Sequence, residues 1–409
     1  MNPPPVIAYI FERYPVLSQT FLRREIASLT HQGLRIEIHS MLASGDQGIS
    51  PALENVPVNY FRWTDAFGLI IALPREFLRD PALLRDGWRL WRQHRPTNRE
   101  NFCATLWAVV FAFCRAQSIR RHPPSLLHAT RATGPATAAA ILSRLCKIPF
   151  SFGGHAYDIF RHGGDAFLEP KLRSARFVHT TTEAAATYLQ QRSNGAPAKI
   201  VLSRRGLEQL PPQPARDNTT RPVHLLSVGR LVAKKGHVYQ INACALLKSW
   251  GIPFEARIIG DGPLREDLQR QIDAAGLQSA VTLCGSQPPE KVQEAYRWAD
   301  IFWHTGIVDA DGDRDGLPNV IPEAFAHCLP VISNGLPATT EALIHETNGL
   351  VADVTNATQL AQAVKRLAEH PALRRQLGEN GRRWVEENFM IAKNSQILAE
   401  AFLIASRKS

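Results

Sequence analysis

Two carboxylates, Asp315 and Glu323, stand eight positions apart across the segment Asp315-Gly316-Leu317-Pro318-Asn319-Val320-Ile321-Pro322-Glu323. Pro322 suits a first helical turn, and Glu323-Ala324-Phe325-Ala326 reads as its continuation. A loop that opens a helix aims backbone N–H groups and the positive dipole end at an anion. Carboxylates beside it can accept hydrogen bonds from hydroxyl groups. Phosphate together with a polyol describes a nucleotide sugar.

Three more segments hold groups that fit such a ligand. In Ser227-Val228-Gly229-Arg230-Leu231-Val232-Ala233-Lys234-Lys235-Gly236, Arg230 and Lys235 follow a predicted strand, where an open α/β sheet binds its ligands. A forked donor and a point charge suit a diphosphate, although loop cations are also commonly just solvated. Gly260 and Gly262, in Ile259-Gly260-Asp261-Gly262-Pro263, mark a strand-to-helix turn without the full G-x-G-x-x-G pattern. A tight turn with Asp261 capping the next helix competes there with a nucleotide contact. His155, in Gly153-Gly154-His155-Ala156-Tyr157-Asp158, also follows a strand, but a lone histidine is more often structural. The run Asp311-Gly312-Asp313-Arg314-Asp315-Gly316 looks like the start of a calcium loop. Its twelfth position would be Pro322, with Glu323 one residue late, so calcium is rejected. No metal-ligand spacing is present, and no G-x-S-x-G element marks a hydrolase.

Positioning these groups takes alternating strands and helices. A chain of 409 residues exceeds one ordinary core, so two domains are expected. In the first half, strands are predicted from Val6 to Phe11, Arg35 to Met41, Leu126 to Ala129, Phe150 to Phe152, Phe177 to Thr182 and Lys199 to Ser203. Helices interleave at Gln19 to Gln32, Thr137 to Cys146 and Glu183 to Gln191. Residues 211–222 read as a linker, polar and proline-rich. The alternation then restarts. Strands are predicted from His224 to Val228, Phe254 to Ile259, Val281 to Cys284, Ile301 to His304, Pro330 to Ser333 and Gly349 to Ala352. Helices fall at Val238 to Trp250, Leu264 to Ala275 and Glu290 to Ala299, and two helical segments (356–369, and 372–408 broken near Asn388) end the chain. Such alternation predicts two Rossmann-like, doubly wound parallel sheets facing a central cleft.

Hydrophobic content of 44% and charged content of 21% describe a soluble globular chain. The opening residues lack the pattern of a secretory signal, and the six scattered cysteines read as reduced core thiols in a cytosolic protein. The net charge of +10 belongs to the first half: residues 1–205 hold 26 Lys/Arg against 14 Asp/Glu. An anionic membrane surface or nucleic acid could explain it, and no nucleic-acid motif favours the latter. Residues 62–121 carry 11 Arg among several tryptophans and phenylalanines. Arg85, Arg89 and Arg92 lie at helical spacing beside Leu84, Trp88 and Trp91, as on a membrane-surface helix or on an insertion helix with a solvated face.

The ordered set from Gly229-Arg230-Leu231 to Asn348-Gly349-Leu350-Val351, through Lys235-Gly236, Ile259–Leu264, Asp315–Glu323 and Pro330-Val331-Ile332, resembles family 4 of the retaining glycosyltransferases, which have the GT-B fold. Tyr14-Pro15-Val16-Leu17-Ser18-Gln19-Thr20-Phe21 and Phe152–Ile159 resemble its colanic acid and exopolysaccharide branch. The resemblance implies an acceptor domain (1–210, insertion at 62–121), a donor domain (223–388) and a C-terminal helix (389–409) returning to the first. It implies that Arg230 and Lys235 hold the donor diphosphate, aided by Gly316 and Leu317, with Gly229, Gly260, Gly262 and Glu323 along the nucleotide. Glu323 would bind ribose hydroxyls. Asp315 would contact the donor sugar, His155 would reach it from the other domain, and Ser18, Gln19 and Arg131 would face the acceptor. Where the family has a glutamate this chain has Asp315, a reach about 1.5 Å shorter. The partners so implied are a nucleotide-diphosphate sugar, a lipid-diphosphate-linked saccharide and an anionic membrane surface at the inner face of the plasma membrane. Neither cofactor, metal nor nucleic acid is implied. A sugar-nucleotide epimerase on the same fold, and a basic scaffold for nucleic acid or membrane, are the competing readings.

Overall fold

A computed structural model describes residues 4–16, 20–43, 53, 56–96, 98–193, 199–213 and 222–407. The chain divides into two units, Met1–Gly206 with Ile391–Ser409, and Leu207–Met390. The division falls ahead of the proline-rich stretch because Leu207 is bridged to Met390 and buried in the second unit's core.

The first unit holds seven parallel strands: β1 (Val6–Tyr14), β2 (Arg35–Ala43), β3 (Val58–Tyr60), β4 (Leu126–Ala129), β5 (Phe150–Gly153), β6 (Phe177–Thr180) and β7 (Lys199–Leu202), in the order 3-2-1-4-5-6-7. All residues of β4, β5 and β6 are buried, as expected of a parallel sheet covered on both faces. Side-chain alternation along β1 assigns the faces. Ala8 and Ile10 pack with Phe111 and Ala112 of the helix Arg99–Arg121 and Leu142 of Gly134–Cys146, whereas Ile7, Tyr9 and Phe11 pack with Leu22, Ile26, Leu398 and Phe402. Leu398 and Phe402 belong to the last helix, Ile391–Ser406, which is thereby part of this unit. Its fully buried Phe402 touches the rings of Tyr9, His128 and Phe177, so Phe402→Ala should cost about 3–5 kcal/mol.

The second unit repeats the plan with β8 (Val223–Val228), β9 (Phe254–Ile259), β10 (Val281–Gly285), β11 (Ile301–His304), β12 (Val331–Ser333) and β13 (Gly349–Val351), all parallel in the order 10-9-8-11-12-13. The helical end of the chain breaks near Asn388, into Pro371–Asn388 and Ile391–Ser406. Both units are thus doubly wound α/β sheets.

Several elements escape sequence patterning: β3 and the helices Leu69–Arg79 and Arg99–Arg121. The last is long and apolar enough to cross a membrane, but Ala108, Phe111, Ala112 and Ala116 bury its middle in the first core.

Candidate active site

Strand order reverses between β8 and β11, which pair directly, so the loops after these two strands flank a topological switch point. The loop after β8 makes a short helical turn, Ala233–Lys235, stopped by Gly236 at φ 63°. A Cβ there would be driven into the Thr305 carbonyl oxygen, so only glycine permits this approach to the loop after β11. The two loops are tied together. The Thr305 hydroxyl donates to the Lys235 carbonyl (3.0 Å), and Ile307 N–H donates to that of Lys234 (2.8 Å).

That stitching delivers two lysines to two aspartates. Lys235 Nζ lies 2.6 Å from Asp315 Oδ2, and Lys234 Nζ lies 3.0 Å from Asp313 Oδ2 and 3.5 Å from Asp315 Oδ1. His304, the last residue of β11, brings Nε2 within 3.5 Å of Asp315 Oδ2. Its Nδ1 is 3.3 Å from Ser333 Oγ, whose own proton goes to the His304 carbonyl at 2.7 Å. Ser333 thus fixes the Nδ1 edge of the ring, with Nε2 turned to the carboxylate. Burial, partly offset by Asp315, holds His304 below the ordinary histidine range. Burial pushes the Asp315 carboxyl upward, but Lys235, His304 and Lys234 outweigh it and hold the group well below the usual carboxylate range. Asp313 and Asp315 of the acidic run are therefore lysine-paired.

Pro322 falls in the first turn of the helix Val320–Ala326, which starts at Val320. Glu323 follows it, and the fully buried Tyr296 donates its hydroxyl to Glu323 Oε2 (3.2 Å). Burial and then the Glu323 charge push this phenol well above its ordinary value, so it stays a donor. Leu317 is buried against the cluster of Ile321 and Phe325, which anchors the loop preceding the helix.

Gly229, Gly260 and Gly262 come together for a reason visible in the packing. Gly229 N–H donates to the Ile259 carbonyl and Leu231 N–H to that of Asp261, each at 2.9 Å. A Cβ on Gly260 would meet the Gly229 carbonyl, and one on Gly262 would lie 2.5 Å from the Leu231 oxygen. Asp261 does not cap the helix Arg265–Ala274, as a tight-turn reading expects. Its carboxylate accepts from the adjacent Gly262 N–H at 2.8 Å, and the helix has no side-chain cap. Arg230 is exposed, and its carbonyl faces His237 Nε2 at 3.2 Å.

The first unit carries the remaining predicted residues. His155 is buried, and its Nδ1 is without a partner among the described residues. Burial, reinforced by His179, Arg205 and Arg131, holds it neutral, far below the ordinary range. Asp158 fixes its loop by accepting from the N–H groups of His155, Ala156 and Ala132 at 3.2, 3.0 and 3.0 Å. Arg131 stacks on the Tyr157 ring at 4.7 Å. Tyr157 and Asp158 also line a cavity of about 330 Å³, with Glu12, Trp107, Arg161 and His162. Ser18 and Gln19 lie outside the described residues.

Sequence reasoning picked out Lys235, Asp315 and Glu323 but passed over Lys234, His304 and Tyr296. His304 could have been found by the rule that singled out His155, since it too ends a predicted strand. Tyr296 sits on a different helix, Pro289–Trp298, and no local pattern points from there to Glu323.

Two parallel doubly wound units, with a charged cluster at the second unit's switch point, define the GT-B class of fold. Solved structures agree over nearly the whole chain. Anabaena Alr3699/HepE in complex with UDP has a TM-score of 0.70, covering 98% of this chain and 100% of that one at 16% identity. Sucrose-phosphate synthase of Thermosynechococcus elongatus has a TM-score of 0.72, covering 98% and 100% at 18% identity. Residues 213–384, within the second unit, match the family described as "Glycosyl transferases group 1". Among curated relatives, the chain is 37% identical over 183 residues to the amylovoran biosynthesis glycosyltransferase AmsK of Erwinia amylovora, covering 44% of each chain. It is 35% identical over 169 residues to the putative colanic acid biosynthesis glycosyltransferase WcaL of Escherichia coli K12, covering 40% of this chain and 41% of that one. The matched segment thus spans less than half the length of these relatives.

Proposed function

We propose that the chain is a retaining, metal-independent glycosyltransferase of exopolysaccharide or surface-polysaccharide synthesis. It moves a hexose from a nucleotide-diphosphate sugar to a lipid-diphosphate-linked saccharide at the cytoplasmic face of an anionic membrane. The observation that carries this reading is the Lys234–Lys235–Asp313–Asp315 cluster at the switch point. Two relatives named for polysaccharide biosynthesis and a structural neighbour that binds UDP support it.

In this reaction the bond from the sugar's anomeric carbon to the diphosphate breaks and the acceptor oxygen bonds to that carbon on the same face. The acceptor's proton passes to the departing diphosphate oxygen. Lys235 and Arg230 take up the charge developing on the leaving group, the electrostatic contribution that usually dominates such catalysis. As Lys235 turns to the diphosphate, Asp315 is released to accept from a sugar hydroxyl, still flanked by Lys234 and His304. Glu323, steadied by Tyr296, accepts from the ribose hydroxyls. The N–H groups of Gly316 and Leu317 assist at the phosphate, and the backbone at Gly229, Gly260 and Gly262 borders the nucleotide. His155 is assigned to the donor sugar, and Ser18, Gln19 and Arg131 to the acceptor.

The test is transfer of radiolabel from a panel of nucleotide sugars to a lipid-diphosphate saccharide, with and without chelator. Proton NMR coupling constants assign the anomer of the product. Retained configuration and indifference to chelator are expected. An inverted product or chelator-abolished turnover contradicts the mechanism, and no transfer from any donor contradicts the activity.

A further inference from the structure

The helix Leu69–Arg79 is apolar on its outer face as well as its inner one, where Leu69, Leu73 and Phe77 are half-buried and Phe77 meets the ring of Phe113. Its buried positions are Ala72 and the carboxylate-bearing Glu76, which is 1% exposed and ion-paired with Arg75, Arg79 and Arg120. Its outward face is apolar. Ile70 is 75% exposed, Ile71 73% and Leu78 84%, and the preceding turn Trp63–Gly68 adds Trp63 at 71% and Phe67 at 66%. Steps of three or four residues separate 63, 67, 70/71, 74 and 78, so these side chains and Pro74 form one continuous stripe. A soluble surface helix is polar on its outward face, and an exposed apolar patch of this continuity marks a surface that something apolar covers. The next helix, Ala82–Gln93, exposes Leu84 and Trp88 beside Arg85 and Arg89, and Arg92, Arg95 and Arg99 are exposed as well.

We infer that the Trp63–Leu78 stripe is an in-plane membrane anchor, seated at the headgroup–acyl boundary of an anionic lipid bilayer. Apolar side chains enter the boundary, and the arginines of the following helix meet anionic headgroups. Arginine suits this place because its stem is apolar and its head reaches phosphate. Charge separates the bilayer from the other apolar occupant, a second copy of this chain. A symmetric self-interface would bring the arginine rows of Ala82–Gln93 toward each other, a like-charge juxtaposition. The inference deepens the proposed reaction at a membrane and rests on it only for its purpose, since the exposed apolar stripe is observed independently of any activity.

The experiment is sedimentation of the full chain with phosphatidylcholine vesicles, with or without phosphatidylglycerol. Wild-type protein is expected to partition onto the phosphatidylglycerol-containing vesicles. The double variant Ile70→Glu/Ile71→Glu should lower that partition about tenfold or more, from two lost apolar insertions. Arg85→Gln/Arg89→Gln/Arg92→Gln should remove the preference for phosphatidylglycerol. All five positions are on the exposed surface, so melting temperatures should match wild type and certify the fold. Unchanged partition in the isoleucine variant overturns the inference. So does a wild-type dimer in vesicle-free buffer that the same variant makes monomeric, with no vesicle binding. Partition is read without nucleotide or acceptor, so failure of sugar transfer bears on the activity alone.

Discussion

The switch-point site and the 63–93 segment handle charge in opposite ways. At the switch point two lysines and two aspartates neutralise one another in a largely buried cluster, and the loops carrying them are stitched by backbone hydrogen bonds. In the 63–93 segment the one buried carboxylate, Glu76, is matched by arginines, and apolar side chains face outward. A pre-paired cluster suits a ligand that exchanges one ion pair for another, because the lysines are positioned before it arrives. An outward apolar stripe suits a partner without fixed shape. One region selects by geometry and the other by solvent.

The sharpest break in that comparison comes from Glu323→Gln, which leaves shape intact and removes a charge. Turnover should fall about 10²- to 10³-fold in the transfer assay, with the melting temperature within a few degrees of wild type. Near-normal turnover would remove Glu323 from the mechanism. A smaller effect is expected for His304→Ala, which frees the Asp315 carboxylate from one neighbour. Turnover should fall about tenfold while nucleotide affinity changes little, as for a positioning residue. Equal losses in affinity and turnover would instead make His304 a binding group. The mildest effect is on stability against pH. Burial depresses His128, His155, His237 and His304 in the folded chain. The unfolded chain takes up these protons near pH 6.5 and the folded one only at lower pH, so stability should decline as pH falls below about 6.5. Asp315 acts at lower pH. Its depressed carboxyl stabilises the fold above the unfolded value near 4, and that contribution disappears only as pH falls through the folded value. A melting temperature that stays flat from pH 7.5 to 5.5 would contradict the histidine assignment.

Much of the fold was legible because nearly every strand of both sheets is an apolar run between helical patterns. β3 was not, since three residues, Val-Asn-Tyr, are too few to show a period. Leu69–Arg79 escaped for a different reason: apolar side chains run round most of the helix, so pattern alone assigns no single buried face. Of the site, Lys235, Asp315 and Glu323 could be singled out from loop position and residue type. Their pairing could not, because Lys235 and Asp315 are 80 positions apart and meet only through the β8–β11 crossover. Gly260 and Gly262 show the converse, since close packing on the 229–231 loop already accounts for both glycines.

The most direct measurement is calorimetry of the full chain with UDP, GDP and ADP, before and after Lys235→Ala. One nucleoside diphosphate should bind at a single site, and the substitution should weaken it about tenfold to a hundredfold, the worth of a charge-assisted contact. No binding by any of the three, or an affinity that Lys235→Ala leaves unchanged, would contradict a diphosphate held at the switch point of the second unit.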